Sequence, residues 1–204
     1  SGDEMVELLA DFLAESQEKR FDQVLPFTPP DERLKHWKSK LKHNVGAEPG
    51  RLWKANLLEE VLAQSNRLHD PRYAGHQVAV PLPQLAWLQA ATALLNNGMA
   101  IDEMGPASSP MEEAVMQELA RFMGMGSASS GILCHGGTLA NLTALLAARQ
   151  RKASGNAWKD GSTRPCAVLV SEQAHYCVDR AVRVMGWGAA GTVKVRTLGN
   201  HQID

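Results

Sequence analysis

The feature that most constrains this chain lies between residues 131 and 196, where short apolar runs alternate with helical ones. Gly131-Ile132-Leu133-Cys134 reads as a short buried strand. Cys166-Ala167-Val168-Leu169-Val170 reads as a fully apolar strand, and Thr192-Val193-Lys194-Val195-Arg196 as a third. Helical patterns fill the intervals, over 139–152 and 174–186. Strands separated by helices of that length are parallel neighbours joined by crossovers, with the helices packed on the sheet. The expected class is α/β.

The first hundred residues have a different character. Val6, Leu9 and Leu13 repeat at helical spacing within 4–20, and Leu25-Pro26-Phe27-Thr28-Pro29-Pro30 must end that helix. Helices are expected over 51–68, up to His69-Asp70-Pro71, and over 84–97, with an irregular proline-marked stretch at 71–83. Gly105-Pro106-Ala107-Ser108-Ser109-Pro110 then forms a loop leading into a helix over 110–123. This change of character divides the chain into 1–104 and 105–204.

Composition narrows the function classes. A net charge of −1 with both signs mixed argues against nucleic acid and against an anionic membrane surface as partners. No apolar run reaches the roughly 18 residues of a spanning helix, and no basic-then-apolar leader opens the chain. Cys134, Cys166 and Cys177 form no CxxC, which points to a reducing, cytoplasmic setting. The neighbours Cys134-His135 and His175-Tyr176-Cys177 lack the spacing of a four-ligand set, so no metal site is expected.

Two turns carry candidate chemistry. Gly136-Gly137-Thr138 stands between a strand and a helix, where unpaired N–H groups and the helix dipole favour a phosphate. The same residues could simply start a helix tightly. The second, Ser171-Glu172-Gln173-Ala174-His175, follows the apolar strand at 166–170, and ligands of open α/β sheets sit beyond the carboxyl ends of strands. A lone His175 could equally cap a helix or fill space. Two such features at the ends of successive strands favour a site.

Gly136-Gly137-Thr138-Leu139-Ala140-Asn141-Leu142, running on to Ala147-Ala148-Arg149, resembles the SGGTxAN…AAR signature of group II pyridoxal 5'-phosphate (PLP) dependent amino-acid decarboxylases, the glutamate-decarboxylase-like family. Val170-Ser171-Glu172-Gln173-Ala174-His175-Tyr176, with Gly186-Trp187-Gly188, is similar to its VSxxAHYS…GxG segment. Asp70-Pro71-Arg72-Tyr73-Ala74-Gly75-His76 resembles its HPRYxGH element, and Ser109-Pro110-Met111-Glu112 its (S/T)PxE element. All four occur in the family's order. The departures are His135 for the usual Ser, Asp70 for the His before Pro71, and Cys177 for the Ser after His-Tyr.

The resemblance implies the PLP-dependent transferase fold of the aspartate aminotransferase type I kind. Residues 1–104 would be the N-terminal helical arm and substrate-loop segment, and 105–204 the first part of the large, mostly parallel sheet domain. It implies PLP as cofactor, with Gly136, Gly137 and Thr138 at its phosphate and His175 stacked on its ring. His76 and Gln77 fall in the substrate loop, and Asn141 would support the turn. The implied activity is decarboxylation of a small L-amino acid to its amine by a homodimer with its active site at the interface. The compact spacing from Pro110 to Glu112 points to an acidic substrate or diaminobutyrate. The lysine that binds the cofactor covalently, and an Asp for the pyridinium nitrogen, are expected beyond residue 204, so the sequence reads as an N-terminal portion. The alternatives are another PLP type I lyase or transaminase, or a lysine-less module for dimerisation or binding.

Overall fold

A computed structural model describes residues 2–44, 57–153, 155–161 and 166–204. The chain forms two compact units, Ser1–Leu95 and Asn96–Asp204.

The first unit is helical. Helix α1 spans Gly2–Gln17 and opens with Asp3 and Glu4, whose charges suit the positive end of the helix dipole. Helix α2 spans Pro30–Asn44, and the sequence reading did not anticipate it. Its start follows a readable rule: proline at the first helical position needs no donor, and Asp31 and Glu32 occupy the first turn. Helix α3 is Leu57–Ala63, shorter than the helix expected over 51–68, whose first six positions lie outside the described residues. Helix α4 covers Leu85–Leu95. Glu60 of α3 pairs with His36 and Lys40 of α2.

Arg67 is buried at the centre of this unit. Its guanidinium lies 4.0 Å from the Phe21 ring centroid and 5.1 Å from that of Phe12. Nη1 donates to Leu62 O at 2.9 Å and Nη2 to Ala63 O at 3.0 Å. One cation thus closes the carboxyl end of α3 and packs on Phe12 of α1 and on Phe21 just beyond it, which lowers the desolvation cost of its burial.

In the second unit, a 3-10 turn at Asp102–Met104 precedes helix α5, Ser108–Phe122. Helix α6 is Gly137–Lys152, and α7 is the single turn Ala157–Asp160. Strand β1, Val168–Ser171, is followed by helix α8, Cys177–Val184, and strand β2, Thr192–Val195. The strands are parallel, from Val168 opposite Thr192 to Ser171 opposite Val195. Helix α8 packs against α6 and buries Cys177, Ala181 and Val182. A Cβ at Gly191 would meet Val182 Cγ1 and Trp187 Cβ at 2.6 Å, so only glycine admits this approach of the chain to the core.

The β1–α8–β2 unit realises the parallel crossover expected from sequence. The strand expected at 131–134 does not form, and among the described residues the sheet has two strands. There Leu133 N–H donates to Glu112 Oε1 of α5 at 2.8 Å, so this segment bonds to a side chain 21 residues away instead of to a strand.

Candidate functional site

Helix α6 begins at a turn that only glycine supports comfortably. Gly136 has φ 81° and ψ 155°, a region that side chains avoid, and a Cβ on Gly136 or Gly137 would project into open space. The first intrahelical bond runs from Ala140 N–H to Gly136 O at 3.2 Å. The amides of Gly137, Thr138 and Leu139 therefore precede the ladder, and none meets an acceptor among the described residues. Gly136 carries no capping side chain, and the turn is exposed. These free donors, at the positive end of a helix of 16 residues, fit a phosphate.

His175 stands in the turn between β1 and α8. Its Nδ1 accepts from Cys177 N–H at 3.2 Å, so the neutral ring carries its proton on Nε2. The imidazole lies 4.2 Å from the Tyr176 ring, with 35° between their planes. The Arg180 guanidinium lies 4.7 Å from the centroid of the Tyr176 ring. His175 also lines a cleft of about 430 Å³ bounded by Ser171, Asp179 and Lys194.

The two turns are tied together. Asn141 Nδ2 donates to Cys177 Sγ at 3.2 Å, linking the second turn of α6 to the first turn of α8. Gly136, Gly137, Thr138 and His175 thus occupy the starts of two helices in contact. Cys177 is the acceptor in this link, so the position that departs from the motif is used in it.

His76 and Gln77 belong to the first unit, where both are exposed. Their loop is rigidly built. Asp70, buried, accepts from Arg72 N–H at 2.8 Å, Nε at 3.0 Å and Nη2 at 2.7 Å. Arg72 Nη2 also donates to Phe21 O at 2.8 Å. Tyr73 Oη donates to His76 O at 3.0 Å, holding the backbone of the candidate residue. The hydrogen bonds from Arg72 pull the Asp70 carboxyl down to about 2, against the cost of its burial.

Comparison with known proteins decides the family. The family model described as "Pyridoxal-dependent decarboxylase conserved domain" matches residues 78–202. The chain belongs to this family. An L-2,4-diaminobutyrate decarboxylase of Acinetobacter baumannii is 30% identical over 165 residues, covering 72% of this chain and 32% of that protein. An aspartate 1-decarboxylase of Aliivibrio fischeri is 28% identical over 173 residues, with the same two shares of 72% and 32%. The chain spans about a third of the length of these curated relatives. Among solved structures, mouse CSAD superposes with a TM-score of 0.77 at 19% identity, over 99% of this chain and 43% of that one. The glutamate decarboxylase domain of a Vibrio parahaemolyticus protein reaches 0.79 at 17% identity, over 98% and 46%. These likenesses show the PLP-dependent transferase fold, of which this chain forms a part.

Within this family fold, the structure adds supporting residues that sequence reasoning left without a role. Glu112 holds the segment leading into the glycine turn, and Arg180 backs Tyr176. Arg180 was readable as the residue four positions after Tyr176 on one helix face, whereas the reach of Glu112 to Leu133 was not.

Proposed function

We propose that this region is the phosphate-holding and ring-stacking part of a PLP-dependent decarboxylase that converts a small L-amino acid, an acidic one or diaminobutyrate, to its amine. The observation that carries the reading is the pairing of three open amides at the start of α6 with His175 at the start of α8, linked through Asn141 and Cys177. Gly137, Thr138 and Leu139 would hold the cofactor phosphate through their N–H groups. When bound, PLP supplies an electron-poor ring that accepts the electron pair released as the Cα–carboxylate bond breaks.

The chain's own residues contribute position. The bond from Cys177 N–H and the contact with Tyr176 fix the tilt of the His175 ring, which would stack on the cofactor ring and keep water from that side. His76 and Gln77, on a loop stiffened by Asp70, Arg72 and Tyr73, are the residues proposed to meet the substrate. The decarboxylase names of the relatives support the reaction class, and their aspartate and diaminobutyrate specificities support a small substrate. A cytoplasmic homodimer completes the proposal. Three cysteines outside any disulfide support a reducing compartment, and no helix among the described residues is long and apolar enough to cross a membrane.

The test is a panel of L-amino acids incubated with the full-length protein and PLP, scored for carbon dioxide and for amine. Release of carbon dioxide with a matching amine from aspartate, glutamate or diaminobutyrate is the expected result. Keto acids without carbon dioxide would overturn it in favour of transamination. No turnover, with no pyridoxyl group fixed to the protein by borohydride, would overturn it in favour of a non-enzymatic module.

A further inference from the structure

The turn that carries His175 is anchored by a side chain whose partners lie 25 residues further along the chain. Glu172 N–H donates to Val195 O at 3.0 Å, carrying the parallel pairing one residue past β1. Glu172 then reaches the segment after β2. Its Oε1 accepts from Thr197 N–H at 3.0 Å and from Thr197 Oγ1 at 2.6 Å. Gln173 repeats the link, its Oε1 lying 3.1 Å from His201 Nδ1.

The segment they grip is itself folded. Thr197 bridges to Ile203 in antiparallel sense, Leu198 N–H donates to Gln202 O at 2.8 Å, and Arg196 pairs with Asp204. On the other side, Ser171 Oγ accepts from Gln173 N–H at 3.1 Å and Ser171 O from Ala174 N–H at 2.9 Å. Hydrogen bonds thus tie the 196–204 hairpin to Glu172 and Gln173 and fold the 171–174 turn, and the backbone carries that turn directly into His175. Two donors from one residue converge on one carboxylate oxygen, and charge-assisted bonds of this kind are stronger than neutral ones. Those bonds hold the Glu172 carboxyl below the usual carboxylate range.

We propose that Glu172 is a positioning residue for His175: its carboxylate locks the 171–176 turn to the 196–204 hairpin and so sets the plane on which His175 meets the cofactor. The inference rests on the reading above that His175 faces PLP. Its test measures PLP affinity and the visible circular dichroism of the bound cofactor in the full-length protein. Glu172→Ala is expected to weaken PLP binding about tenfold and to diminish the visible band, since only part of what the two charge-assisted bonds contribute reaches the cofactor. Glu172→Gln keeps an oxygen able to accept both bonds and should stay within about twofold. Thr197→Val removes one donor and should fall between them, about threefold.

His175→Ala separates the two readings. Wild-type affinity and dichroism in His175→Ala would sink the assignment of His175 to the cofactor. A weakened His175→Ala beside unchanged Glu172→Ala and Thr197→Val would sink only the role of Glu172. The double variant E172A/H175A should bind within about twofold of His175→Ala alone, because residues acting through one another are not additive. Full additivity would overturn the proposal, since Glu172 would then act elsewhere. Thr197→Val carries the test if Glu172→Ala does not fold.

Discussion

The loop from Asp70 to His76 and the turn from His135 to Thr138 are built from similar ingredients, yet their polar groups end in opposite places. Around Asp70 the carboxylate takes three bonds from Arg72, Arg72 takes a carbonyl from Phe21, and the Tyr73 hydroxyl takes the carbonyl of His76. Around Gly136, three amides and the Thr138 hydroxyl meet no partner among the described residues. A folded chain seldom leaves backbone donors unpaired without solvent or a ligand to receive them. The closed network holds architecture, and the open one leaves its donors to solvent or to a ligand. The contrast also explains why Asp70 can replace the family's histidine: a carboxylate accepts both edges of a guanidinium, and Arg72 supplies them at 3.0 and 2.7 Å.

The largest effect should come from the open side. Gly136→Ala places a Cβ on a backbone of φ 81° and ψ 155°. That conformation costs a side-chain residue about 1–3 kcal/mol, which the turn can escape only by rotating its amides. PLP affinity, measured by titration of the full-length apoprotein, is expected to fall on the order of a hundredfold. The thermal midpoint without cofactor should move by less than about 3 °C. Unchanged affinity would remove the glycine turn from the phosphate site.

The mirror experiment is Asp70→Ala. Loss of the buried acceptor breaks three bonds, although the exposed Arg72 guanidinium keeps Phe21 O and solvent, and the midpoint is expected to drop by roughly 3–5 °C. PLP affinity should hold within about threefold. A variant with a normal midpoint and lost cofactor would break the division between closed and open networks.

How much of this was legible in the sequence follows from the range of the interactions. The β1–α8–β2 unit was readable because its apolar runs and helical pattern are local, and the ends drifted by only a few residues. Residues 131–134 misled because an apolar run reports burial without naming a bonding partner, and here the partner is Glu112, 21 residues away. Helix α2 escaped notice because its pattern is dominated by charge, although Pro30, Asp31 and Glu32 marked its start. At the site, Gly136, Gly137, Thr138 and His175 stood out by residue type and place. Their supports did not, since nothing in a sequence says that Glu172 will find Thr197 or that Asn141 will find Cys177.

A pH series sharpens the same comparison with a smaller effect. The Asp70 carboxyl is drawn down to about 2 by Arg72, below the ordinary aspartate value near 3.9. A depressed carboxyl stabilises the fold fully above its unfolded value and loses that contribution as pH falls through its folded value. The midpoint difference between the wild type and Asp70→Asn should be constant above pH ~5 and close as pH approaches ~2. The backbone amides at the turn do not titrate, so Gly136→Ala should show no such closing gap. A gap that persists unchanged to pH ~2 would mean that the Asp70 charge contributes nothing to the loop.

The smallest expected effect separates the backbone from the side chain at the open turn. The Thr138 hydroxyl is exposed and sits one residue inside α6, where it can add one donor to those of the backbone. A single neutral hydrogen bond contributes about 0.5–1.5 kcal/mol net, which is roughly threefold to tenfold in binding. Thr138→Val keeps the shape and the N–H and removes only the hydroxyl, so PLP affinity should fall roughly threefold. Thr138→Ser should restore it, since the hydroxyl returns on a smaller residue. A Thr138→Val loss as deep as that of Gly136→Ala would move the weight of phosphate binding from the amides to the hydroxyl. The turn would then resemble the Asp70 loop more than its opposite, with one side chain as the organising group.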